Sequence, residues 1–290
     1  MSRWNLARTS RHRAGSVLIA AAALPLLTAF ISAANPAAAI VQLHALGIQH
    51  TVSDASAVDA LLTKLSSPDA NQRNQAEKQL RHMPAAAKQI LEIAKRQVQD
   101  VRQFEEARDN RVVRDKAPET DKQFTDWHAV YKQKTGMAAQ TIGLLGDLKA
   151  EEAMPFLLEN SRFIDPNYAG KAYLFPYEFP CVGAMMVIGL PAADALLPVI
   201  EATTPYLHTE QENWNARLLA YILGPRAASG FLKDRIDRLV LEQRQPLAFP
   251  QGTIPAGVRI ARLEAVRSRL EAYPQGFRGR DVWLRGRHGA

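Results

Sequence analysis

Cysteine is almost missing from this chain. Cys181 is the only one in 290 residues, so an intrachain disulfide and a thiolate metal cluster are both excluded. It stands in the apolar run Cys181 to Leu190, a setting that suits a small buried hydrophobe, not a reactive thiol, which needs an electropositive and partly exposed site. Catalytic signatures are missing too. The histidines at 44, 50, 82, 128 and 208 never fall four apart beside a glutamate, so the zinc-hydrolase pattern is absent. No glycine-rich phosphate loop precedes a lysine, no nucleophile elbow surrounds a serine, and no loop of alternating acids suits calcium. Asp126 and His128 flank Trp127, but residues two apart on a helix point in different directions and do not make an acid–base pair. The sequence therefore assigns no catalytic residue, no metal ligand and no cofactor, and favours a noncatalytic protein.

Acidic residues are absent from the first 39 positions. Arg3, Arg8, Arg11 and Arg13 precede an uncharged run from Val17 to Ser32, and small residues follow at Ser32/Ala34 and Ala37/Ala39. That order predicts a secretory signal peptide over residues 1–39, cleaved after Ala34 or Ala39. The apolar run is shorter than the roughly 20 residues that span a bilayer. There is no adjacent arginine pair and no cysteine near the cleavage site, so general export to a periplasm or to the medium is expected. If the leader stayed attached, the protein would instead be a membrane-tethered scaffold.

Charge of one sign is also scarce once the leader is set aside. The net +7 of the whole chain includes those four arginines; residues 40–290 carry +3, residues 262–290 carry +4, and the body from 40 to 261 carries −1. A nearly neutral body argues against nucleic acid as a partner, because wrapping it needs a basic stripe.

What the chain does have is a repeat. Gly146 and Pro155 recur as Gly189 and Pro198, 43 residues on, and Ala150 matches Ala193. Ile142, Leu144, Leu145, Met154, Phe156 and Leu157 correspond to Met185, Val187, Ile188, Leu197, Val199 and Ile200. Gly224, Ala227 and Ala228 form a degenerate third copy, and Met83-Pro84-Ala85-Ala86 a fourth. A period of about 40–47 residues made of helix pairs belongs to stacked helical hairpins. In the first two copies the glycine is expected to close the first helix and the proline to kink the second from within.

The stretch from Leu65 to Leu91 resembles a HEAT repeat: Leu65, a turn at Ser67-Pro68-Asp69, then Arg73, Ala76, Leu80, Met83-Pro84, Ala87 and Leu91. The resemblance covers residues 53–273. It implies an all-α fold, a right-handed superhelix of HEAT-like hairpins (an armadillo-type α-solenoid), with Asp69 and Arg73 as an acid and a base bracing neighbouring repeats. Gly146-Asp147 fits the family's usual Gly-Asp, whereas Gly189-Leu190 and Gly224-Pro225 depart from it. Such stacks offer an extended surface to other molecules. The repeats are also similar to those of bilin lyases, which implies an alternative as an enzyme or enzyme accessory, although that chemistry works inside the cell.

Element by element, the pattern predicts a linker over 40–52, a helix from Ser53 or Asp54 to Leu65, a second capped by Asp69, and a long helix from Ala85 to about Val113. A helix from Glu119 to Lys134 should end at Gly136. Helices over Ala227–Gln243 and Val258–Tyr273 close the array, and 274–290 reads as a disordered basic tail.

The repeat is interrupted at 161–180 by Pro166, Gly170, Pro176 and Pro180, with Phe163, Tyr168, Tyr173, Phe175, Tyr177 and Phe179 between them. Long insertions in repeats tend to lie on one face, often the binding face. Tyr and Phe bring large contact area at small entropic cost. These rings either form a contact surface or plug the ends of the helices they join. We take Tyr168, Tyr173, Phe175, Tyr177 and Glu178 as candidate binding residues, together with Trp214 and Arg217, which share a helix face. A protein partner is expected, and the arginine-glycine tail adds attraction for an anionic surface or cell-envelope polymer.

Overall fold

The computed structural model describes residues 56–115, 119–169, 175–202, 209–244, 254–271 and 273. The leader, the linker, Tyr173 and the basic tail lie outside the described residues, all of which fall in the stretch Thr51–Ala290. Among them the fold is all-α, with helices and no strand.

Helix α1 covers 56–65 and buries Val58, Leu61, Leu62 and Leu65, the stripe its spacing predicts. α2 (Ala70–Leu80) starts where Asp69 caps it: Oδ1 accepts from the Asn71 N–H at 2.8 Å. Asp69 is thus a cap, not a brace. Arg73 does reach a neighbour, donating to the Ser67 and Pro68 carbonyls and through Nε to Gln140 Oε1 at 3.1 Å. A 3₁₀ turn, Pro84–Ala86, leads into α3 (Ala87–Asp115), 29 residues long as the sequence pattern requires.

α4 (Asp121–Asp147) opens on a capping box between Thr120 and Gln123. It runs straight through Gly136, which was expected to end it. A helical glycine costs about 1 kcal/mol relative to alanine, but Ala138, Ile142, Leu144 and Leu145 beyond it are all fully buried, and their burial outweighs that cost. The helix ends at Asp147, and two residues on Lys149, with φ of 51°, lets the Ala150 N–H bond the Leu145 carbonyl. Gly146 therefore lies inside the last turn and does not close the helix. Gly189 (φ 80°) and Gly224 (φ 87°) are the true breaks, in a backbone region open to glycine at no steric cost.

The two repeat prolines also differ. Pro155 sits in the first turn of α5 (Met154–Glu159), where a missing N–H costs nothing; Pro198 lies inside α8. The remaining helices are α6 (Phe175–Glu178), α7 (Pro180–Ile188), α8 (Leu190–Ala202), α9 (Thr209–Leu223), α10 (Pro225–Gln243) and α11 (Ala256–Glu271). α3 packs on α4, α4 on α7, α7 on α9 and α9 on α11, while α5 packs on both α7 and α8. α11 lies against α8, α9 and α10 at once. Gly146 sits where α4 crosses α7: a Cβ there would stand 2.7 Å from the Ala184 Cα.

Helices α8, α10 and α11 are tied by one carboxylate. Glu201 on α8 is 8% exposed and accepts from Arg235 Nε of α10 at 2.7 Å and Arg259 Nε of α11 at 2.6 Å, while Arg262 bonds its carbonyl. Helices α3 and α4 are clamped by Arg108, whose guanidinium lies 4.2 Å from the Trp127 ring centre and pairs with Glu119.

Candidate functional site

The insertion after α5 sends its aromatic residues in two directions, because the single turn of α6 puts positions two apart on different faces. Phe175 points inward and is fully buried. Its ring stacks on Tyr221 at 4.5 Å, meets Phe179 at 4.6 Å and Trp214 at 5.8 Å, and carries the Arg217 guanidinium 3.8 Å from its centre. It anchors the insertion on α9 and offers no surface to a partner. Tyr177, 37% exposed, turns the other way and meets the half-buried Tyr168 with ring centres 5.2 Å apart. Tyr173 lies outside the described residues.

Of the candidate residues, Trp214 and Arg217 line one cleft and Tyr168 and Tyr177 another. One lies over α9, about 570 Å³ in volume, and takes in Arg162, Trp214, Arg217, Tyr221 and Tyr273. Trp214 is held by its indole N–H, which donates to Ser161 Oγ at 3.2 Å, and its ring lies 5.0 Å from the Arg162 guanidinium. Arg162 also pairs with the exposed Glu210 at 2.5 Å. Burial pushes the Tyr221 and Tyr273 hydroxyls above the ordinary tyrosine range, opposed in both by the charge of Arg217. Both hydroxyls stay neutral at physiological pH and serve as hydrogen-bonding groups.

The second cleft, about 360 Å³, opens between α2, α4, α7 and the insertion. Tyr168, Tyr177, Pro176 and Pro180 line it from the insertion side, and Gly136, Gly143 and Gly183 from α4 and α7. Among the described residues its charged groups are Glu77, Arg81 and Asp165. Arg81 is engaged by Glu77 at 2.5 Å and by Asp147 at 3.0 Å. Asp165 is 3% exposed; its backbone N–H bonds the Glu178 carbonyl at 2.8 Å, and its Oδ1 accepts from the Asn167 N–H and side-chain amide at 3.0 and 2.7 Å. Burial raises the Asp165 carboxyl above the usual range, offset in part by those bonds. Glu178 thus contributes its carbonyl to the turn that positions Asp165.

Sequence reasoning grouped the insertion with Trp214 and Arg217 but missed Arg162, Asp165, Tyr221 and Tyr273. The signal for Asp165 was its place in Asp165-Pro166-Asn167, a turn inside the aromatic run. Nothing local marks the others, which join the site by long-range packing. Among the described residues no group of three His, Cys, Asp or Glu is placed to hold a metal ion. Cys181 is buried, and burial raises its thiol pKa far above the ordinary range, so it stays protonated. Among the described residues no single helix is long and apolar enough to cross a membrane.

The chain matches no family model, no curated protein and no solved structure.

Proposed function

We propose that this protein is an exported, noncatalytic binding scaffold, an α-solenoid of HEAT-like hairpins that engages a protein or cell-envelope partner through the insertion between α5 and α7. The single observation that carries the reading is the division of labour inside the insertion. Phe175 is committed to the core, while Tyr168 and Tyr177 are held as an aromatic pair at the mouth of a cleft. Rigid aromatic groups fixed over a concave, partly polar site are what binding surfaces are made of. The solenoid is supported by the 43-residue period and by the succession α4, α7, α9, α11, each packed on the next. Export is supported by the arginine-led apolar run of residues 1–39.

The test is capture from a native envelope fraction, with the intact chain and a Tyr168→Ala/Tyr177→Ala variant side by side. We expect the variant to keep its helical circular dichroism and to lose the captured partner. Equal recovery by the two proteins removes the insertion from the binding surface.

A further inference from the structure

We propose that the cleft bounded by Asp165, Tyr168 and Tyr177 receives an organic cation, the ammonium or guanidinium head of an alkyl chain, with Asp165 as its counter-ion. The proposal rests on the binding-scaffold reading and names what that scaffold holds at this cleft.

The charge balance of the cleft supports it first. Of the three charged groups that line it among the described residues, Arg81 is already held by Glu77 and Asp147. Among those residues Asp165 has no such partner. Both hydrogen bonds to its carboxylate fall on Oδ1, and among the described residues none reaches Oδ2. Lys132 influences it only through space. A carboxylate that is 3% exposed and lacks a contacting cation is costly to keep charged. Such costs concentrate at sites that bind or react.

Shape supports it next. A volume of about 360 Å³ lies at the small end of ligand sites. The lining is largely uncharged, and the Tyr168–Tyr177 pair presents ring surface beside the carboxylate. Aromatic faces next to a desolvated carboxylate recognise an organic cation through charge pairing and cation–π attraction together. An anion would meet Glu77 and Asp165; a metal ion would find, among the described residues, one carboxylate with an oxygen that accepts no bond.

Calorimetric titration of the full chain tests this, using blocked lysine (the N-acetyl, N′-methylamide), blocked arginine, and the blocked norleucine analogue, which has the alkyl chain without the charge. The lysine and arginine probes are expected to bind saturably and at least tenfold more tightly than norleucine. Asp165→Asn, which keeps the acceptor for Asn167, should weaken the charged probes at least tenfold. Lys233→Gln, at an exposed position on α10, should leave them unchanged. Equal binding of norleucine, or charged probes indifferent to Asp165→Asn, overturns the proposal. Should Asp165→Asn fail to fold, Tyr177→Leu at the exposed rim replaces it, with weakening expected and unchanged affinity overturning the proposal. Cadaverine, run in parallel, identifies the source. Affinity equal to blocked lysine points to a free diamine, and weaker affinity to a side chain of a protein partner; both support cation recognition. Partner capture that depends on Tyr168 and Tyr177 yet ignores Asp165→Asn leaves the scaffold reading standing and removes the cation from it.

Discussion

Gly146 and Gly230 both sit inside helices, yet alanine at the two positions should move stability in opposite directions. At Gly146 a Cβ would lie 2.7 Å from the Ala184 Cα, a backbone atom that cannot step aside without parting α4 from α7. Overpacking of that kind costs about 1–3 kcal/mol, against about 1 kcal/mol gained in helix propensity. At Gly230, within α10, nothing lies within 4 Å of the added carbon. We therefore expect Gly230→Ala to raise unfolding stability by up to about 1 kcal/mol and Gly146→Ala to lower it by about 1–2 kcal/mol, both read from urea unfolding at neutral pH. A gain for Gly146→Ala would mean that α4 and α7 are not in the close contact described. The repeat aligns Gly146 with Gly189, and this pair shows why a period is only partly informative. It marked where two helices meet their successors, but the close approach that demands glycine at 146 depends on Ala184, on another helix. The same limit governed the aromatics. Phe175 and Tyr177 look interchangeable in a run of Phe and Tyr, and only the turn of α6 sends one to the core and the other to the surface.

Among the elements, α11 shows how a charged surface helix in the sequence becomes a structural tie. Its arginines read as a basic face, but Arg259 pairs with Glu201 at 2.5 Å and Arg262 bonds the Glu201 carbonyl, 58 and 61 residues back along the chain. No local pattern announces a partner so distant. The helices themselves were legible, because the apolar spacing of α1, α3, α9 and α10 follows from burial on one face; the failure at Gly136 came from reading a glycine as punctuation where buried neighbours override it. The tie has a definite pH signature. Burial pushes the Glu201 carboxyl upward, but hydrogen bonds and charge from Arg235 and Arg259 outweigh it, so its folded pKa lies below the ordinary value of 4.5. A depressed carboxylate pKa stabilises the fold above the unfolded value, and that contribution is lost as pH falls through the folded one. Glu201→Gln should therefore lose about 2–4 kcal/mol at pH 7, since it leaves two buried-side guanidiniums without their anion. The deficit should shrink as both proteins are taken below pH 4.5. A deficit independent of pH would assign the loss to packing and not to the charge.

For the whole molecule, the distribution of charge separates the work of the folded body from that of the ends. The basic character of the chain resides in the leader and in residues 262–290; residues 40–261 carry −1. Within α11, Arg259 and Arg262 are spent on Glu201, and Arg269 pairs with Glu212 at 3.3 Å. Beyond Tyr273 the sequence adds Arg278, Arg280, Arg285 and Arg287, with Asp281 as the one acid among them. A cluster of that size near an anionic lipid surface contributes about 1 kcal/mol per arginine and is screened by salt. On the scaffold reading, the tail supplies nonspecific attraction while the clefts supply selection. Residues 40–290 should accordingly sediment with vesicles containing anionic phospholipid at low ionic strength, should not do so with zwitterionic vesicles, and should be released near 1 M salt, where the screening length is about 3 Å. Ending the chain at Tyr273 keeps α11 and its ties to Glu201 while bringing the net charge of 40–273 to zero. That shortened chain should lose vesicle binding and retain both its thermal midpoint and its capture of a specific partner. Vesicle binding that survives the deletion would place the membrane-attracting charge on the folded body, and loss of partner capture along with the tail would move the site of selection away from the two clefts.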